Sequence, residues 1–262
     1  MAEQKIQYND AAAYELSMGK WSQIAGPIFL QWLAPQSNKR WIEVGCGNGA
    51  FTELLAKNCS PAEIVGVEPS EAQLSYAASR LSAWPVRLMP GNAYSLPVKD
   101  AEFDYAVMAL VIFFVPDPPK GMAEMRRVVR PGGTITAYAW DIMNEGFPLN
   151  PMQKVMQEMG IPPTLPPSAP VTRLDALKAL WEGGGLQEVE TKTFQVQRTF
   201  SDFENLWQAN IAGSTIAPNY KSMASQDQER LKERMRALNT PDRSGAIVCS
   251  AKVNFVKGVV PQ

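Results

Sequence analysis

The 262-residue chain contains no histidine. This absence excludes the side chain that most often acts as general acid or base near neutral pH, the most common metal ligand, and every catalytic triad built on an imidazole. Any chemistry must therefore rely on carboxylates, lysine, tyrosine, cysteine, a reactive cofactor or positioning alone. No metal site is expected.

The chain also lacks an excess of charge and a long apolar run. It has 25 basic and 26 acidic residues and a net charge of -1. No basic surplus can follow a nucleic-acid backbone, so nucleic acid is not an expected partner. No apolar stretch approaches the roughly 20 residues of a membrane span, and Met1–Asp10 lacks the apolar segment of a signal peptide. We therefore expect no membrane insertion.

Cysteines are few and odd in number. Cys46, Cys59 and Cys249 show no metal-like spacing, so we expect reduced thiols and a cytoplasmic protein. A hydrophobic content of 45% supports one sizeable core, or a core with a small cap. The sequence leaves open whether the protein is a monomer or a homodimer.

Short apolar segments alternate with helical patterns in the first half of the chain. This alternation is typical of a parallel sheet with helices on both faces. The predicted strands are Arg40–Val44, Ile64–Glu68, Val86–Met89, Phe103–Leu110 and Thr134–Trp140. The predicted helices are Asp10–Met18, Ser22–Leu33, Phe51–Ala56, Ser70–Ser82 and Pro119–Val129, and a sharp turn is predicted at Arg130–Gly133.

The composition changes after Trp140. Seven prolines fall between Asp141 and Val171, which predicts a helix and an irregular crossing segment outside the sheet. The remaining predicted elements are helices at Arg173–Glu182, Ser201–Ile211 and Ser225–Leu238 and strands at Gln187–Arg198 and Ile247–Val256.

The stretch Trp41–Phe51 runs from an apolar strand through three glycines into a helical pattern. Glycine lets the backbone adopt left-handed conformations close to a ligand, and the helix that follows offers free N–H groups at its start. Gly45-x-Gly47-x-x-Ala50 satisfies a relaxed dinucleotide fingerprint, which keeps NAD open as a ligand. The additional Gly49, and Glu43 before the turn, fit a ligand without a pyrophosphate whose ammonium end lies near Glu43.

Positions after the next two strands indicate a nucleoside. Glu68 ends the second predicted strand, where a carboxylate can accept two hydrogen bonds from a ribose diol. Asn92 follows the third strand, and its side-chain oxygen could accept from an adenine amino group while the Ala93 N–H serves a ring nitrogen. NAD and S-adenosylmethionine both contain a ribose diol and an adenine, so Glu68 and Asn92 do not distinguish between these two ligands.

Four segments in order resemble a known family. They are Glu43–Gly49, Gly66–Ser70, Gly91–Pro97, and Val115–Pro118 leading to Met125–Gly133. Together they cover about residues 40–140 and resemble the class I S-adenosylmethionine-dependent methyltransferases, particularly the small-molecule enzymes grouped with ubiquinone and menaquinone biosynthesis. Met18–Ser22 looks like an element that precedes the core in one branch, which also tends to carry a Trp-Asp pair such as Trp140-Asp141.

The resemblance implies a Rossmann-like α/β fold. Its seven-stranded sheet is mostly parallel with the last strand antiparallel, has helices on both faces and carries a small helical cap. It also implies S-adenosylmethionine as methyl donor and S-adenosylhomocysteine as product. The cofactor-contacting residues expected on this basis are Lys20, Trp21, Glu43, Gly45, Cys46, Gly47, Gly49, Glu68, Pro69, Asn92, Ala93, Ala109 and Leu110.

The same resemblance suggests one domain over residues 1–262. Residues 1–38 would form an N-terminal helical lid and 39–141 the cofactor-binding core. Residues 142–172 and 199–245 would form the cap around the acceptor, and 173–198 and 246–258 the last helix and strands of the sheet.

The chain departs from the family pattern at three places. Glu43 and Glu68 stand where many members have Asp, which adds one methylene. Asn92 replaces the usual Asp and removes a charge near the adenine. Phe113-Phe114 stands where relatives often have Asn or His, so the methyl-transfer end of the site should be more apolar.

Methyl transfer from a sulfonium needs mainly an in-line nucleophile and exclusion of water. Where the acceptor needs a base, Asp141 and Tyr14 are the first candidates on position, ahead of Tyr138 and Lys20. The acceptor site is expected from Tyr8–Trp21, Phe113–Phe114, Asp141–Pro170 and the helices at 201–211 and 219–238. Their Met, Phe, Trp and Pro residues indicate a medium-sized, partly apolar or aromatic small molecule, or else simply pack the cap onto the sheet.

Two alternatives remain open from the sequence. An NAD-dependent oxidoreductase lacks a visible catalytic set, because no histidine is present and Tyr76 is followed by Arg80 where a Tyr-x-x-x-Lys motif needs lysine. A non-catalytic S-adenosylmethionine-binding protein is compatible with Asn92 and with the missing base.

Overall fold

A seven-stranded sheet lies at the centre of the computed structural model, which describes residues 15–213 and 215–262. The strands are β1 (Arg40–Val44), β2 (Glu63–Glu68), β3 (Val86–Pro90), β4 (Phe103–Ala109), β5 (Val129–Trp140), β6 (Gln187–Phe200) and β7 (Ile247–Val259). Their spatial order is β3-β2-β1-β4-β5-β7-β6. Pairing from β3 through β5 is parallel, whereas β7 is antiparallel to both β5 and β6. The predicted Rossmann-like sheet with a reversed last strand is confirmed.

Helices surround this sheet. In chain order the α-helices are α1 (Lys20–Leu33), α2 (Ala50–Asn58), α3 (Glu71–Arg80), α4 (Pro118–Val128), α5 (Asn150–Glu158), α6 (Leu174–Gly183), α7 (Phe203–Ile211), α8 (Ala217–Ser222) and α9 (Ser225–Leu238). Within these ranges, no helix combines the length and the apolar composition of a membrane-spanning segment.

The first helix differs from the prediction of two separate helices. A single π-helical turn at Glu15–Gly19 leads directly into α1, so the expected break between Met18 and Ser22 does not occur. Trp21, Ala25 and Phe29 follow one another at four-residue spacing and are all buried on one face. The part of the predicted Asp10–Met18 helix that precedes Glu15 lies outside the described residues.

An aromatic cluster fixes α1 on the sheet. The Phe29 ring lies 4.7 Å from the Tyr138 ring of β5 and 5.2 Å from the Phe255 ring of β7, measured between centroids. From the other side, the Arg198 guanidinium of β6 donates to the carbonyl oxygens of Leu16 and Ser17, at 3.1 and 2.8 Å. These contacts set the position of the N-terminal end of α1 above the carboxyl ends of the central strands.

Two local features differ from the prediction. The Arg130–Gly133 segment lies within β5 as an irregularity: the pairing with β4 passes from Val129 opposite Phe103 to Thr134 opposite Tyr105, and Gly132 has a φ of +74°. Helix α8 was not predicted; it is only six residues long and has a proline in its first turn. The other predicted helices and strands occur with bounds that differ by a few residues at most.

Candidate functional site

A large cavity of about 1010 Å³ lies over the carboxyl ends of β1, β2, β4 and β5. Ligands of open parallel sheets bind at this edge, where the strand order reverses. Residues of the cap, including Pro162–Pro167 and Asn219, form its outer wall. The cavity therefore brings together the carboxyl ends of the parallel strands and the segments that follow β5.

The glycine turn forms the floor of the cavity between β1 and α2. The N–H groups of Gly45 and Cys46 both donate to the Val67 carbonyl oxygen of β2, at 2.7 and 3.1 Å. Gly45, Gly47 and Gly49 all have left-handed φ angles, of +79°, +52° and +79°. Each conformation is one that an L side chain adopts only with strain.

The three glycines differ in what surrounds them. A Cβ on Gly45 would lie 2.7 Å from the Val111 side chain, and one on Gly49 would lie 2.9 Å from Leu81. A Cβ on Gly47 would meet no atom within 4 Å, and Gly47 lines the cavity. Gly45 and Gly49 thus let neighbouring elements approach, whereas Gly47 leaves bare backbone facing open space.

Glu43 is a buried carboxylic acid at the end of β1. Its side chain accepts a hydrogen bond of 2.6 Å from the Thr52 hydroxyl of α2 and is 1% exposed. Burial raises the pKa of Glu43 to about 8, and the neighbouring Glu68 carboxylate contributes to the rise. A ligand cation beside Glu43 would favour its ionised form.

Glu68 closes the glycine turn from the adjacent strand. One carboxylate oxygen accepts from the Gly47 N–H at 3.2 Å and the other from the Ser70 N–H at 3.1 Å. Burial raises the pKa of Glu68, and these two backbone bonds oppose that rise. Because each carboxylate oxygen has a second lone pair, both can still accept from a ligand hydroxyl.

The turn after β3 is an Asx turn. The Asn92 side-chain oxygen accepts from the Tyr94 N–H at 2.9 Å, and the Asn92 carbonyl oxygen accepts from the Ser95 N–H at 3.3 Å. Asn92, Ala93 and Tyr94 all line the cavity. The side-chain oxygen predicted to meet an adenine amino group is thus already bonded once and retains one lone pair.

The segment after β4 carries backbone strain. Leu110 has a φ of +61°, which is uncommon for a bulky residue, and its N–H donates to the Tyr138 carbonyl oxygen at 2.9 Å. Ala109, Leu110 and Val111 all line the cavity. The strained residue directs the chain from β4 into the Ile112–Phe114 3₁₀ turn, which supplies Phe113 and Phe114 to the cavity wall.

Comparison with known proteins agrees with this geometry. Residues 42–137 match the family model described as a methyltransferase domain. The chain is 29% identical over 154 residues to a 2-phytyl-1,4-naphtoquinone methyltransferase of Synechococcus elongatus, covering 57% of this chain and 62% of that protein. It is 34% identical over 96 residues to a demethylmenaquinone methyltransferase of Staphylococcus aureus, covering 36% and 40%. The matches thus span less than two thirds of these curated relatives.

Solved structures share the fold. A putative methyltransferase from Bacillus halodurans superposes with a TM-score of 0.60 at 15% identity, over 90% of this chain and 99% of that one. A Haemonchus contortus phosphoethanolamine N-methyltransferase bound to phosphomonomethylethanolamine and S-adenosylhomocysteine gives 0.61 at 17% identity, over 99% and 60%. Residues 42–137 therefore carry a methyltransferase domain.

Most of the residues predicted to contact the cofactor of this methyltransferase domain line one cavity. They are Glu43, Gly45, Cys46, Gly47, Glu68, Pro69, Asn92, Ala93, Ala109 and Leu110. Their assembly follows from the sheet, since the carboxyl ends of β1, β2 and β4 and the segment after β3 meet at one edge. Which of them touch the cofactor stays a prediction.

Three other predicted cofactor residues lie outside the cavity lining. Lys20 is exposed and its ammonium group donates to the Gln23 side chain at 3.5 Å. Trp21 is 2% exposed and packs edge-to-face on Trp140, with ring centroids 6.2 Å apart. Gly49 is the N-cap of α2 and faces α3. Met18 and Ser22 from the same N-terminal element do line the cavity.

Of the two candidate bases, Asp141 lies in the described part of the chain. Asp141 is buried next to the cavity wall without belonging to it, and its carboxylate accepts from the Asn144 amide at 3.0 Å. Tyr14 lies outside the described residues.

Several residues that line the cavity were not predicted from the sequence. Asn48 is buried within the glycine turn, and its side-chain oxygen accepts from the Ala50 N–H and from Arg80. Gln153 and Thr215 are buried polar residues of the cap. Gln153 could have been recognised as a polar residue among Met152, Val155 and Met156 on the apolar face of a predicted helix. No comparable sequence pattern marks Thr215.

Proposed function

We propose that this protein transfers a methyl group from S-adenosylmethionine to a small, partly apolar or aromatic molecule. The single observation that carries the proposal is the cavity, which joins the glycine turn and Glu68 to a wall of aromatic residues without interruption. At about 1010 Å³ it is at the upper end of the range for small-molecule sites. It therefore offers room for a nucleoside cofactor and for a second molecule.

The residues at the β1 and β2 ends fit S-adenosylmethionine. The space at Gly47 admits a ligand against the backbone, and Glu68 keeps lone pairs for a ribose diol. Asn92 and the Ala93 N–H lie beside this position for an adenine. Glu43 would receive the ammonium group, whose charge offsets the cost of ionising a buried carboxylate. S-adenosylmethionine accounts for all of these groups, although it lacks the pyrophosphate of NAD.

When bound, the cofactor supplies an activated methyl group on a sulfonium. The work left to the chain is to position the acceptor and to exclude water. Phe113 and Phe114 pack against each other, with ring centroids 4.4 Å apart, and both line the cavity. With Trp140 and Pro162–Pro167 they would surround the acceptor with apolar surface.

A base is wanted only where the acceptor must lose a proton. Asp141 and Tyr14 remain the two candidates, and Asp141→Asn and Tyr14→Phe test them. A general base contributes about 10²- to 10⁴-fold to the rate. A loss of kcat above about 100-fold in either variant would identify the base, and retention of kcat in both would exclude both residues.

Calorimetry with S-adenosylmethionine and S-adenosylhomocysteine tests the cofactor half directly. Glu68→Gln should weaken binding of either compound by about 10-fold or more, because hydrogen bonds to a carboxylate are stronger than bonds to an amide. Glu71→Gln, on an exposed acid three residues away, should bind as the unchanged protein does. Failure of both compounds to bind, or equal affinity in the Glu68 variant, would contradict the proposal.

Turnover is then measured as the release of S-adenosylhomocysteine in the presence of each of a panel of small acceptors.

The proposal includes a cytoplasmic location, a monomer or homodimer, and the division into a lid at 1–38, a cofactor core at 39–141 and cap insertions at 142–172 and 199–245. Buried thiols at Cys46 and Cys59 support the reducing location.

A further inference from the structure

The two ends of the cavity differ sharply in charge. Glu43 is the last but one residue of β1 and Glu68 ends β2, whereas Trp140 ends β5, three strand positions from β2. At roughly 4.8 Å per strand the two ends are about 14 Å apart. We call the second one the acceptor end, and it is formed by Phe113, Phe114, Trp140, Ile142, Phe147, Gln153, Pro162–Pro167, Thr215 and Asn219.

The acceptor end contains no charged side chain among the lining residues of 15–213 and 215–262. The charged lining residues in these ranges, Glu43 and Glu68, stand at the cofactor end. Asp141 adjoins the acceptor end but faces the Asn144 amide. A carboxylate or phosphate on the acceptor would therefore lose water without gaining a cation from these ranges, and an ammonium group would gain no anion from them.

Two buried polar side chains stand in this apolar wall. Thr215 is 7% exposed, and its hydroxyl forms no hydrogen bond with the described part of the chain. A buried hydroxyl without a hydrogen-bond partner destabilises the folded protein, and a ligand oxygen in reach would relieve this cost. Gln153 of α5 is also 7% exposed and carries a carboxamide that can both donate and accept.

These two residues come from neighbouring parts of the cap. A Cβ on Gly213 would overlap the Leu149 side chain, so the turn that carries Thr215 packs on the start of α5. The Gln153 N–H donates to the Leu149 carbonyl oxygen at 3.0 Å, which places Gln153 one turn further along α5. Both residues fall outside residues 42–137, the part shared with the methyltransferase family model.

We propose that Thr215 and Gln153 are the specificity-determining residues for the methyl acceptor. The acceptor is an uncharged molecule with an aromatic or otherwise apolar body, and a hydroxyl or carbonyl oxygen on it hydrogen-bonds to the Thr215 hydroxyl and the Gln153 carboxamide. The inference rests on the proposed methyltransferase function, since it assumes that the cofactor occupies the Glu43 and Glu68 end.

Binding of a matched two-ring set tests the charge preference without turnover. The probes are 1-naphthol, 1-naphthoate, 1-naphthyl phosphate and 1-naphthylmethylammonium, each titrated into the full chain saturated with S-adenosylhomocysteine and followed by ligand-observed NMR. We expect 1-naphthol to bind at least about 10-fold more tightly than each charged probe, because the described lining of the acceptor end holds no charged partner for these groups. Equal or tighter binding of a charged probe, or binding of none of the four, overturns the inference.

Variants of the two polar residues test the hydrogen bonds. Thr215→Val and Gln153→Leu keep the side-chain size and should each weaken 1-naphthol binding about 2- to 10-fold. Thr199→Val, the same change at an exposed position of β6, is the control and should have no effect. Gln153→Glu should reverse the preference towards 1-naphthylmethylammonium. Unchanged 1-naphthol affinity in both of the first two variants overturns the inference.

The cofactor titration separates the two proposals. All variants should bind S-adenosylhomocysteine as the unchanged protein does, which also shows that they are folded. Normal cofactor binding without the expected probe preference would leave the methyltransferase proposal standing and remove only the acceptor inference. Absence of cofactor binding in the unchanged protein would overturn both.

Discussion

Replacing Gly47 by alanine should separate the ligand-binding role of the glycine turn from its structural role. The φ angle of Gly47 is +52°, but an added Cβ would meet no atom within 4 Å. The left-handed conformation costs an alanine about 1–2 kcal/mol, and the smaller entropy of its unfolded chain returns about 0.4–1 kcal/mol. The net loss in the free energy of unfolding should therefore be about 0–1.6 kcal/mol.

The effect on ligand binding should be larger than this effect on stability. The new methyl group would occupy the space in which we place the cofactor, since Gly47 lines the cavity. We expect at least a 10-fold loss of S-adenosylhomocysteine affinity, about 1.4 kcal/mol, measured by calorimetry. The melting temperature should fall by no more than roughly 6 °C, given about 2–4 °C per kcal/mol for a chain of this size.

Gly49→Ala is the matched control for the same chemical change. A Cβ there would lie 2.9 Å from Leu81 and 3.2 Å from Ala77, in addition to the strain of a φ of +79°. Overpacking of about 1–3 kcal/mol adds to the net backbone cost of about 0–1.6 kcal/mol, so this variant should lose about 1–4.6 kcal/mol of stability. A Gly47 variant that binds S-adenosylhomocysteine normally would refute the placement of the cofactor. A Gly49 variant as stable as the unchanged protein would refute the packing argument.

Three further changes probe the protein away from this glycine. The pKa of Glu43 is raised from 4.5 to about 8 in the folded state, so its stabilising contribution is present below about pH 4.5 and is lost as the pH rises through about 8. Glu43→Gln should remove this loss, and urea unfolding of the variant should vary less between pH 5 and 8; equal pH dependence in both proteins would contradict it. Arg198→Ala should free the Leu16 and Ser17 carbonyl groups and speed amide hydrogen exchange at residues 15–21, and unchanged exchange there would argue against the anchor. Phe29→Ala should cost about 3–5 kcal/mol and lower the melting temperature by roughly 6–20 °C, whereas a loss below 1 kcal/mol would show that the aromatic cluster repacks.

The cofactor end of the cavity was largely predictable because its signals are local. β1 was predicted with its observed bounds, and the glycine turn and the start of α2 follow it directly along the chain. Glu43 and Glu68 stand at the ends of apolar strands, and adjacent parallel strands necessarily bring such ends together. An apolar strand, a glycine turn and an acid at a strand end can thus each be recognised from a few consecutive residues.

The N-terminal element shows where local reasoning fails. Two helices were expected with a break before Ser22, and Trp21 was expected to contact the cofactor. The π turn instead continues into α1, so Trp21 shares the buried face of Ala25 and Phe29 and packs on Trp140. Whether the helix is interrupted at Gly19 depends on contacts such as the hydrogen bonds from Arg198 to Leu16 and Ser17. These bonds join residues about 180 positions apart in the sequence.

The acceptor end was the least predictable part for the same physical reason. Gln153 and Thr215 are 62 residues apart, and they meet in one wall only because the Gly213 turn packs on the start of α5. Neither position carries a required backbone conformation or a strand-end geometry that a sequence pattern would reveal. A site formed by strand ends can thus be predicted from the sequence, whereas a site formed by contacts within the cap can be identified only when the packing of the cap is known. This difference explains why the methyl donor follows from the sequence, while the character of the acceptor has to be argued from the buried polar groups of the cap in the folded protein.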